Sequence, residues 1–323
     1  MDHTVMVAVF VAALALSFSL SNGFNDSASQ VATVISSRAL SPELALTLAA
    51  LANFVGACFL GTSVAKTIGK GIVDPQVMGS SRIGIIVLAS ALTGALSWNL
   101  ITWYFGIPSS SSHGLIGGLI GGFISGWGTG PIQWKNVQVI LLVMLVSPLV
   151  GFFLTYLFTK ATFFLTQWFS PKANESFKHL QVISLLGQAL AHGTNDAQKT
   201  MGVITFALIL LRLHSPKAGA GYLIPQWVVV SCSFSMALGG ALGGWKIIRT
   251  LGAGLYRVRP IHGFASQAAS ALIMYVTSTN AKQFSYGGDV YEGGVHQQRP
   301  VSSRTGTGAG ACQRQDPAAD VRV

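Results

Sequence analysis

Two carboxylates of this chain lie beside long apolar runs of sequence, where an ionisable group is costly. They are Asp26 and Asp196. A charged side chain in such surroundings is expected to line a polar cavity or to bind a ligand. The other carboxylates before residue 281 lie at the terminus, in loops or in the first turn of a helix: Asp2, Glu43, Asp74 and Glu175. Asp26 and Asp196 are therefore the candidates for chemistry.

Each of these aspartates ends a Gly-x-Asn-Asp motif, at 23–26 and at 193–196. Glycine frees the backbone, and Asn and Asp favour helix caps over helix interiors, so the motifs predict that two membrane helices are broken here. A broken helix exposes N–H groups at one end, which suit an anion, and carbonyl groups at the other, which suit a cation. The alternative is that each Asp only caps a helix at the membrane surface.

A second polar cluster is the run 108–113, in which four consecutive serines stand between a proline and a histidine. Proline is preorganised for the first turn of a helix, and serine hydroxyls cap free N–H groups, so we expect a helix to begin here. Hydroxyls and free amides at a helix N-terminus also make a good oxyanion site. The alternative is a serine-rich re-entrant turn that binds no ligand.

Two ionisable side chains near these motifs have roles that the sequence leaves open. His113 can be a proton carrier or a hydrogen-bonding residue of the core. Lys199 follows Asp196 by three residues, on the same face of a helix, and can pair with that carboxylate or with a bound anion. The alternative for Lys199 is a lysine that only extends its amine towards the membrane surface.

The elements that position these residues must be membrane helices, because the chain has few groups that water can solvate. Of its 323 residues, 50% are hydrophobic and 9% are charged, against about 25% charged in an ordinary soluble domain. Basic residues in short loops account for much of the net charge of +10, so nucleic-acid binding is not indicated. The apolar runs are 5–23, 44–65, 83–105, 137–158, 180–190, 201–211, 222–244 and 264–276.

The chain also contains an internal duplication. Besides the Gly-x-Asn-Asp motif, the stretch 66–72 is echoed at 249–255, and Ala-Ser-Ala-Leu at 89–92 returns at 269–272. Three echoes in the same order indicate two related halves, which in secondary transporters often surround a central site with inverted topology. We predict a first transmembrane repeat at 1–169, a connecting loop at 170–178 and a second transmembrane repeat at 179–280.

The second repeat is predicted to be incomplete. A counterpart of the serine run should begin near residue 288, but the stretch 281–323 is polar and contains no apolar run of membrane length. We interpret 281–323 as a non-native or disordered tail that arises from a change of reading frame, and a genuine lineage-specific tail is the alternative. A truncated, non-functional product is then the main rival to an active protein.

These motifs resemble the inorganic phosphate transporter (PiT) family, which carries a repeated Gly-x-Asn-Asp motif and a repeated Pro-x-Ser-(Ser/Thr)-(Ser/Thr)-His motif. The stretch 191–203 is similar to a bacterial member, and the resemblance covers roughly residues 1–280. It implies an all-α integral membrane protein of the bacterial inner membrane. Its fold would be two inverted repeats, each with a broken helix and a re-entrant hairpin.

The resemblance also implies a symporter that moves inorganic phosphate, alone or as a metal-phosphate complex, with a proton or a sodium ion. Phosphate would bind at Ser110, Ser111, Ser112, Asn25, Asp26, Asn195 and Asp196, and the two Asn-Asp pairs would also bind the coupling ion. No cofactor and no resident metal are implied. The lipid bilayer is an expected partner, and a second copy of the chain is a candidate partner.

Phosphate near neutral pH still carries a hydroxyl proton that a carboxylate can accept, whereas sulfate carries none. Paired acceptors therefore favour phosphate, because the wrong ligand leaves a buried acceptor unpaired. An intramembrane serine hydrolase that uses one of the serines 109–112 with His113 and an Asp is a remote alternative. The chain has no Gly-x-Ser-x-Gly motif, and we expect that it is not an enzyme.

Overall fold

The regular structure of this chain is helical, as the sequence predicts. A computed structural model describes residues 3–60, 82–130, 132–168, 173–214, 223–253 and 259–276. Within these ranges the helices are α1 His3–Ser36, α2 Pro42–Phe59, α3 Arg82–Phe105, α4 Ser111–Trp127, α5 Trp134–Thr166, α6 Ala173–Leu210, α7 Gln226–Leu242, α8 Trp245–Ala253 and α9 260–276. The predicted tail at 281–323 and the stretch 66–72 lie outside the described residues.

Several of these helices are long and apolar enough to cross a membrane. In the described part of the chain they are α1, α2, α3 from Ile83 onwards, and α5. α7 and α8 form a pair bent by 62° at a short break, and together they qualify as a broken span or a re-entrant loop. α5 is the least covered helix, since only 6% of its most apolar window is buried inside the protein.

The predicted breaks at the two Gly-x-Asn-Asp motifs are wrong. α1 continues through 23–26 for 34 residues in all, and α6 continues through 193–196 for 38. The apolar run 180–190 and residues 201–210 of the next run are therefore parts of one helix. The structure gives the motif glycines a different role, which is close helix packing. A Cβ atom on Gly23 would overlap the backbone oxygen of Met236 in α7, and one on Gly193 would overlap that of Asn53 in α2.

The two halves pack against each other through two equivalent pairs of helices. α1 of the first half packs closely on α7 of the second, and α6 of the second half packs closely on α2 of the first. Both contacts pair a motif glycine with a glycine of the facing helix, where added Cβ atoms would also overlap backbone: Gly239 for α1 with α7, and Gly56 for α6 with α2. The duplicated sequence thus produces a duplicated packing arrangement.

α1 and α6 run antiparallel to each other. Three contacts define their register: Asn22 with Asp196, Asp26 with His192, and Ser37 with Gln181. Residue numbers rise along α1 as they fall along α6, by equal steps. Opposite directions of corresponding helices are what inverted repeats require. The inverted organisation of the complete halves stays a prediction, which this pairing supports.

The serine run forms the start of a helix, as predicted. α3 and α4 pack together as a hairpin, and α4 begins at Ser111 with Ser110 as its N-cap. Gly106 lies at the end of α3 with φ +66°, a conformation that favours glycine. Its carbonyl oxygen accepts a hydrogen bond of 3.1 Å from Thr250 Oγ1, so the tip of the hairpin is fastened to α8.

The motif residues lie between two buried apolar clusters. The larger cluster includes Phe18, Met201 and Met236, and the smaller one includes Val31 and Leu185. Both clusters draw residues from α1 and α6, so they hold these two helices together on either side of the motifs. Apolar packing therefore fixes the crossing of α1 and α6, and polar side chains occupy its centre.

Candidate functional site

The two motif aspartates meet at the crossing of α1 and α6. Their carboxylate oxygens, together with the ring of His192, lie within 4.8 Å of one another. The side chains of Asp26 and Asp196 are only 17% and 10% exposed. The two aspartates therefore lie close together, on helices that are unbroken.

His192 lies between the two carboxylates. Its Nε2 atom is 3.6 Å from Asp26 Oδ2 and 3.7 Å from Asp196 Oδ2. Two carboxylates and an imidazole at this spacing can hold a cation, because all three offer a ligand atom to one point. His192 is not among the site residues that the motifs predict. The signal was present, since His192 stands four residues before Asp196 and so shares its helix face.

Asn22 is the counterpart of His192 in the first half. It stands four residues before Asp26, and its Nδ2 atom donates a 3.2 Å hydrogen bond to Asp196 Oδ2. Each half thus contributes a polar side chain that contacts the aspartate of the other half. Asn22 Oδ1 and His192 Nε2 are buried atoms without a hydrogen-bond partner among the described residues. Both atoms can therefore accept a further hydrogen bond or ligand contact, although His192 Nε2 already lies 3.6 Å from Asp26 Oδ2 and 3.7 Å from Asp196 Oδ2.

The asparagines of the motifs lie next to the aspartates without sharing their contacts. Asn25 is buried, and its Nδ2 atom donates a 3.1 Å hydrogen bond to the backbone oxygen of Asn99 on α3. This bond ties α1 to α3 at the level of the motif. Asn195 is half-buried on α6. Asn25 therefore helps to position the site, and both residues remain predicted ligands.

The four serines of the run have four different partners. Ser109 Oγ donates to Thr102 Oγ1 over 2.8 Å, and Ser110, which is exposed, accepts a bond from the backbone N of His113 as the N-cap of α4. Ser111 Oγ donates to Asp26 Oδ2 over 3.4 Å, and Ser112 Oγ accepts from Lys199 Nζ. Ser111 and Ser112 thus reach the aspartate pair, whereas Ser110 caps the helix. The side chain of His113 is exposed.

Lys199 pairs with the carboxylate of its own helix. Its Nζ atom lies 2.7 Å from Asp196 Oδ1, three residues away, and also donates a hydrogen bond to Ser112 Oγ. The side chain is 18% exposed. Lys199 therefore joins α6 to the first turn of α4, and of the alternatives that the sequence left open, pairing with Asp196 is the one observed.

The site combines groups for an anion with groups for a cation. The first turn of α4 supplies the hydroxyls of Ser111 and Ser112, and free N–H groups at a helix start carry partial positive charge. Lys199 adds a full positive charge beside them. Asp26, Asp196 and His192 supply the cation ligands within the same crossing. An anion and a cation can therefore bind side by side here.

Comparison with known proteins identifies the chain's relatives. A probable low-affinity inorganic phosphate transporter of Bacillus subtilis (strain 168) is 40% identical over 278 residues, which cover 85% of this chain and 80% of the relative. A protein of the same description from Rhizobium meliloti (strain 1021) is 38% identical over 281 residues, covering 86% and 81%. These relatives are named as transporters, which agrees with the expectation that the chain is not an enzyme.

The fold is also found in a solved structure, described as "the sodium-dependent phosphate transporter". It has a TM-score of 0.74 and 21% sequence identity, and the match covers 85% of each chain. The model of the phosphate transporter family (PHO4) matches this chain at residues 22–170 and 165–282. The chain therefore belongs to the phosphate transporter family, whose members are multi-pass membrane proteins.

Proposed function

We propose that this protein moves inorganic phosphate across the bacterial inner membrane by symport with a cation. The observation that carries the proposal is the meeting of Asp26 and Asp196, one from each half, within 4.8 Å of His192. The descriptions of the bacterial relatives support phosphate as the substrate. A site shared between two duplicated halves also suits a transporter, because movement of one half against the other can expose it to alternate faces.

Phosphate is proposed to bind at the first turn of α4. Ser111 and Ser112 offer hydroxyls there, and the helix start offers free N–H groups. Lys199 supplies positive charge next to Ser112. Asp26, which already accepts a bond from Ser111, can accept the hydroxyl proton that phosphate carries and sulfate lacks. Phosphate is therefore expected to bind in preference to sulfate.

The coupling cation is proposed to bind at the aspartate pair. A proton or a sodium ion at Asp26 and Asp196 would offset the charge that phosphate brings. A divalent ion that enters as part of a metal-phosphate complex is cargo for the same position, where His192 adds a nitrogen ligand. In each case cation and phosphate lie side by side, so that binding of one favours binding of the other.

We propose, from the exposed apolar surface of helix α5, that the protein is surrounded by lipid. Its apolar side chains point outward along much of its length, among them Leu145, Phe152, Phe153, Leu157 and Phe164. Such a surface is stable against lipid tails, and it also offers a face on which a second copy of the chain can pack. We therefore expect this face to lie within the bilayer.

Uptake of labelled phosphate by proteoliposomes tests the proposal. The purified full chain is reconstituted, and protein-free liposomes serve as the control. Accumulation of phosphate that excess sulfate does not reduce is the expected result, and loss of uptake on chelation of divalent ions would identify a metal-phosphate complex as the substrate. A chain that inserts normally but shows no phosphate uptake above protein-free liposomes, with either ion present, would overturn the proposal.

A further inference from the structure

The two halves also differ at the position three residues after each aspartate. Lys199 follows Asp196 by three residues, and the residue in the same place after Asp26 is Ser29. Lys199 Nζ lies 2.7 Å from the Asp196 carboxylate. Ser29 is exposed, and its hydroxyl donates a 2.8 Å bond to the backbone oxygen of Asp26 instead. Asp196 therefore has a cation attached to its own helix, and Asp26 has none at the equivalent position.

The ammonium group of Lys199 has the ligands that a small monovalent cation would take. It contacts a carboxylate oxygen of Asp196 and the hydroxyl oxygen of Ser112. Both are hard oxygen ligands, and a lysine ammonium is a compact point charge of the kind that fits between them. The contacts also link α6 to α4, so the charge is fixed where the two halves meet.

Asp26 is in a different electrostatic position. Among the described residues its ion-pair partner is His192, whose Nε2 atom is 3.6 Å away. Ser111 contributes a neutral hydroxyl at 3.4 Å. His192 is shared with Asp196, at 3.7 Å, so no cation belongs to Asp26 alone in this part of the chain. A cation from solution is therefore expected to bind on the Asp26 side of the site.

We propose that Lys199 is a tethered substitute for a coupling cation at Asp196, which makes it the residue that sets how many cations the transporter takes from solution. The inference rests on the proposed phosphate transport. With Lys199 present, the Asp196 position is filled by the chain itself, and only the Asp26 side takes an external ion. When the ammonium is removed, the Asp196 carboxylate and the Ser112 hydroxyl form an open site for a sodium ion.

The test is the substitution Lys199→Ser, which copies Ser29 of the first half. Equilibrium binding of radioactive sodium to the purified full chain is expected to show an additional bound ion in the variant. The ratio of phosphate uptake with sodium to uptake without it should rise about tenfold over wild type, which corresponds to about 1.4 kcal/mol of sodium binding. Lys199→Gln, which keeps a long side chain without charge, is the second variant and should behave in the same way.

Two controls separate the charge from the packing of the side chain. Lys199→Arg keeps a positive charge and should retain the wild-type sodium ratio. Lys178→Ser removes a lysine of the same helix that pairs with Glu175 far from the site, and it should change nothing. Wild-type sodium binding and sodium ratio in both neutral variants would overturn the inference. A wild-type chain that takes up no phosphate would instead overturn the proposed function.

Discussion

Alanine at position 193 is expected to force α6 away from α2. Gly193 lies in the second Gly-x-Asn-Asp motif, against the backbone of Asn53. An added Cβ atom would lie 2.6 Å from the Asn53 Cα atom, whereas favourable contact between carbons begins near 3.5 Å. The neighbouring atoms are backbone and cannot rotate away, so the helices must separate by about 1 Å.

The expected cost follows from two opposing terms. Overpacking of a buried contact costs about 1–3 kcal/mol, and replacing glycine by alanine inside a helix returns at most about 1 kcal/mol. Gly193→Ala should therefore lower the free energy of unfolding by up to about 2 kcal/mol relative to wild type, and by about 1–3 kcal/mol relative to an alanine on the same helix that meets no overlap. Asp196 is three residues further along α6, so the same displacement moves its carboxylate relative to Asp26 and should reduce phosphate uptake.

Gly187→Ala is the matched control, because it lies on the same helix with no atom within 4 Å of an added Cβ. The unfolding midpoint of each detergent-purified variant can be followed by tryptophan fluorescence, and uptake is measured in proteoliposomes. Gly187→Ala should match or exceed wild-type stability, since it gains helix propensity without overlap. Equal unfolding temperatures and equal transport rates for Gly193→Ala and Gly187→Ala would refute a packing role for Gly193.

Three further substitutions test neighbouring parts of the structure. Ser110→Ala should lower stability by about 1 kcal/mol through loss of the α4 N-cap and leave phosphate affinity unchanged; a large loss of affinity would mean that Ser110 binds the substrate. Ser111→Ala should weaken phosphate binding, as measured by calorimetry, with little change in unfolding temperature. Unchanged phosphate affinity would mean that Ser111 does not bind phosphate. Asn53→Leu should cost about 1–3 kcal/mol, because Gln30 Oε1 loses a 3.0 Å bond from Asn53 Nδ2; an unchanged midpoint would contradict this.

Much of the candidate site could be predicted from the sequence because duplication carries positional information. Asp26 and Asp196 occupy the same place in two related halves, so a shared central site follows from the repeat alone. The start of α4 within the serine run was also predictable, since proline and serine favour the first turn of a helix. The different contacts of Ser110, Ser111 and Ser112 could not be predicted. They depend on which side chains of α1 and α6 face the first turn of α4.

The unbroken helices show why a local pattern was insufficient. Gly23 and Gly193 allow a break, but they also allow two backbones to approach, and only the facing helix decides between these outcomes. His192 was missed for a related reason. Its importance comes from contact with Asp26 of the other half, which depends on the antiparallel register of α1 and α6. The repeat boundaries at 1–169 and 179–280 stay predictions.

The central claim is that Asp26 and Asp196 together form the transport site. It is tested most directly by measuring phosphate uptake by the variants Asp26→Asn and Asp196→Asn. Each change keeps the shape of the side chain and removes the charged acceptor, so the site loses its cation ligand and its acceptor for the phosphate proton. Glu43→Gln, an equivalent change at an exposed residue in the first turn of α2, is the control. Near-complete loss of uptake in both aspartate variants, with normal insertion and full activity of the control, is the predicted result. Uptake at the wild-type rate in both aspartate variants would contradict the account.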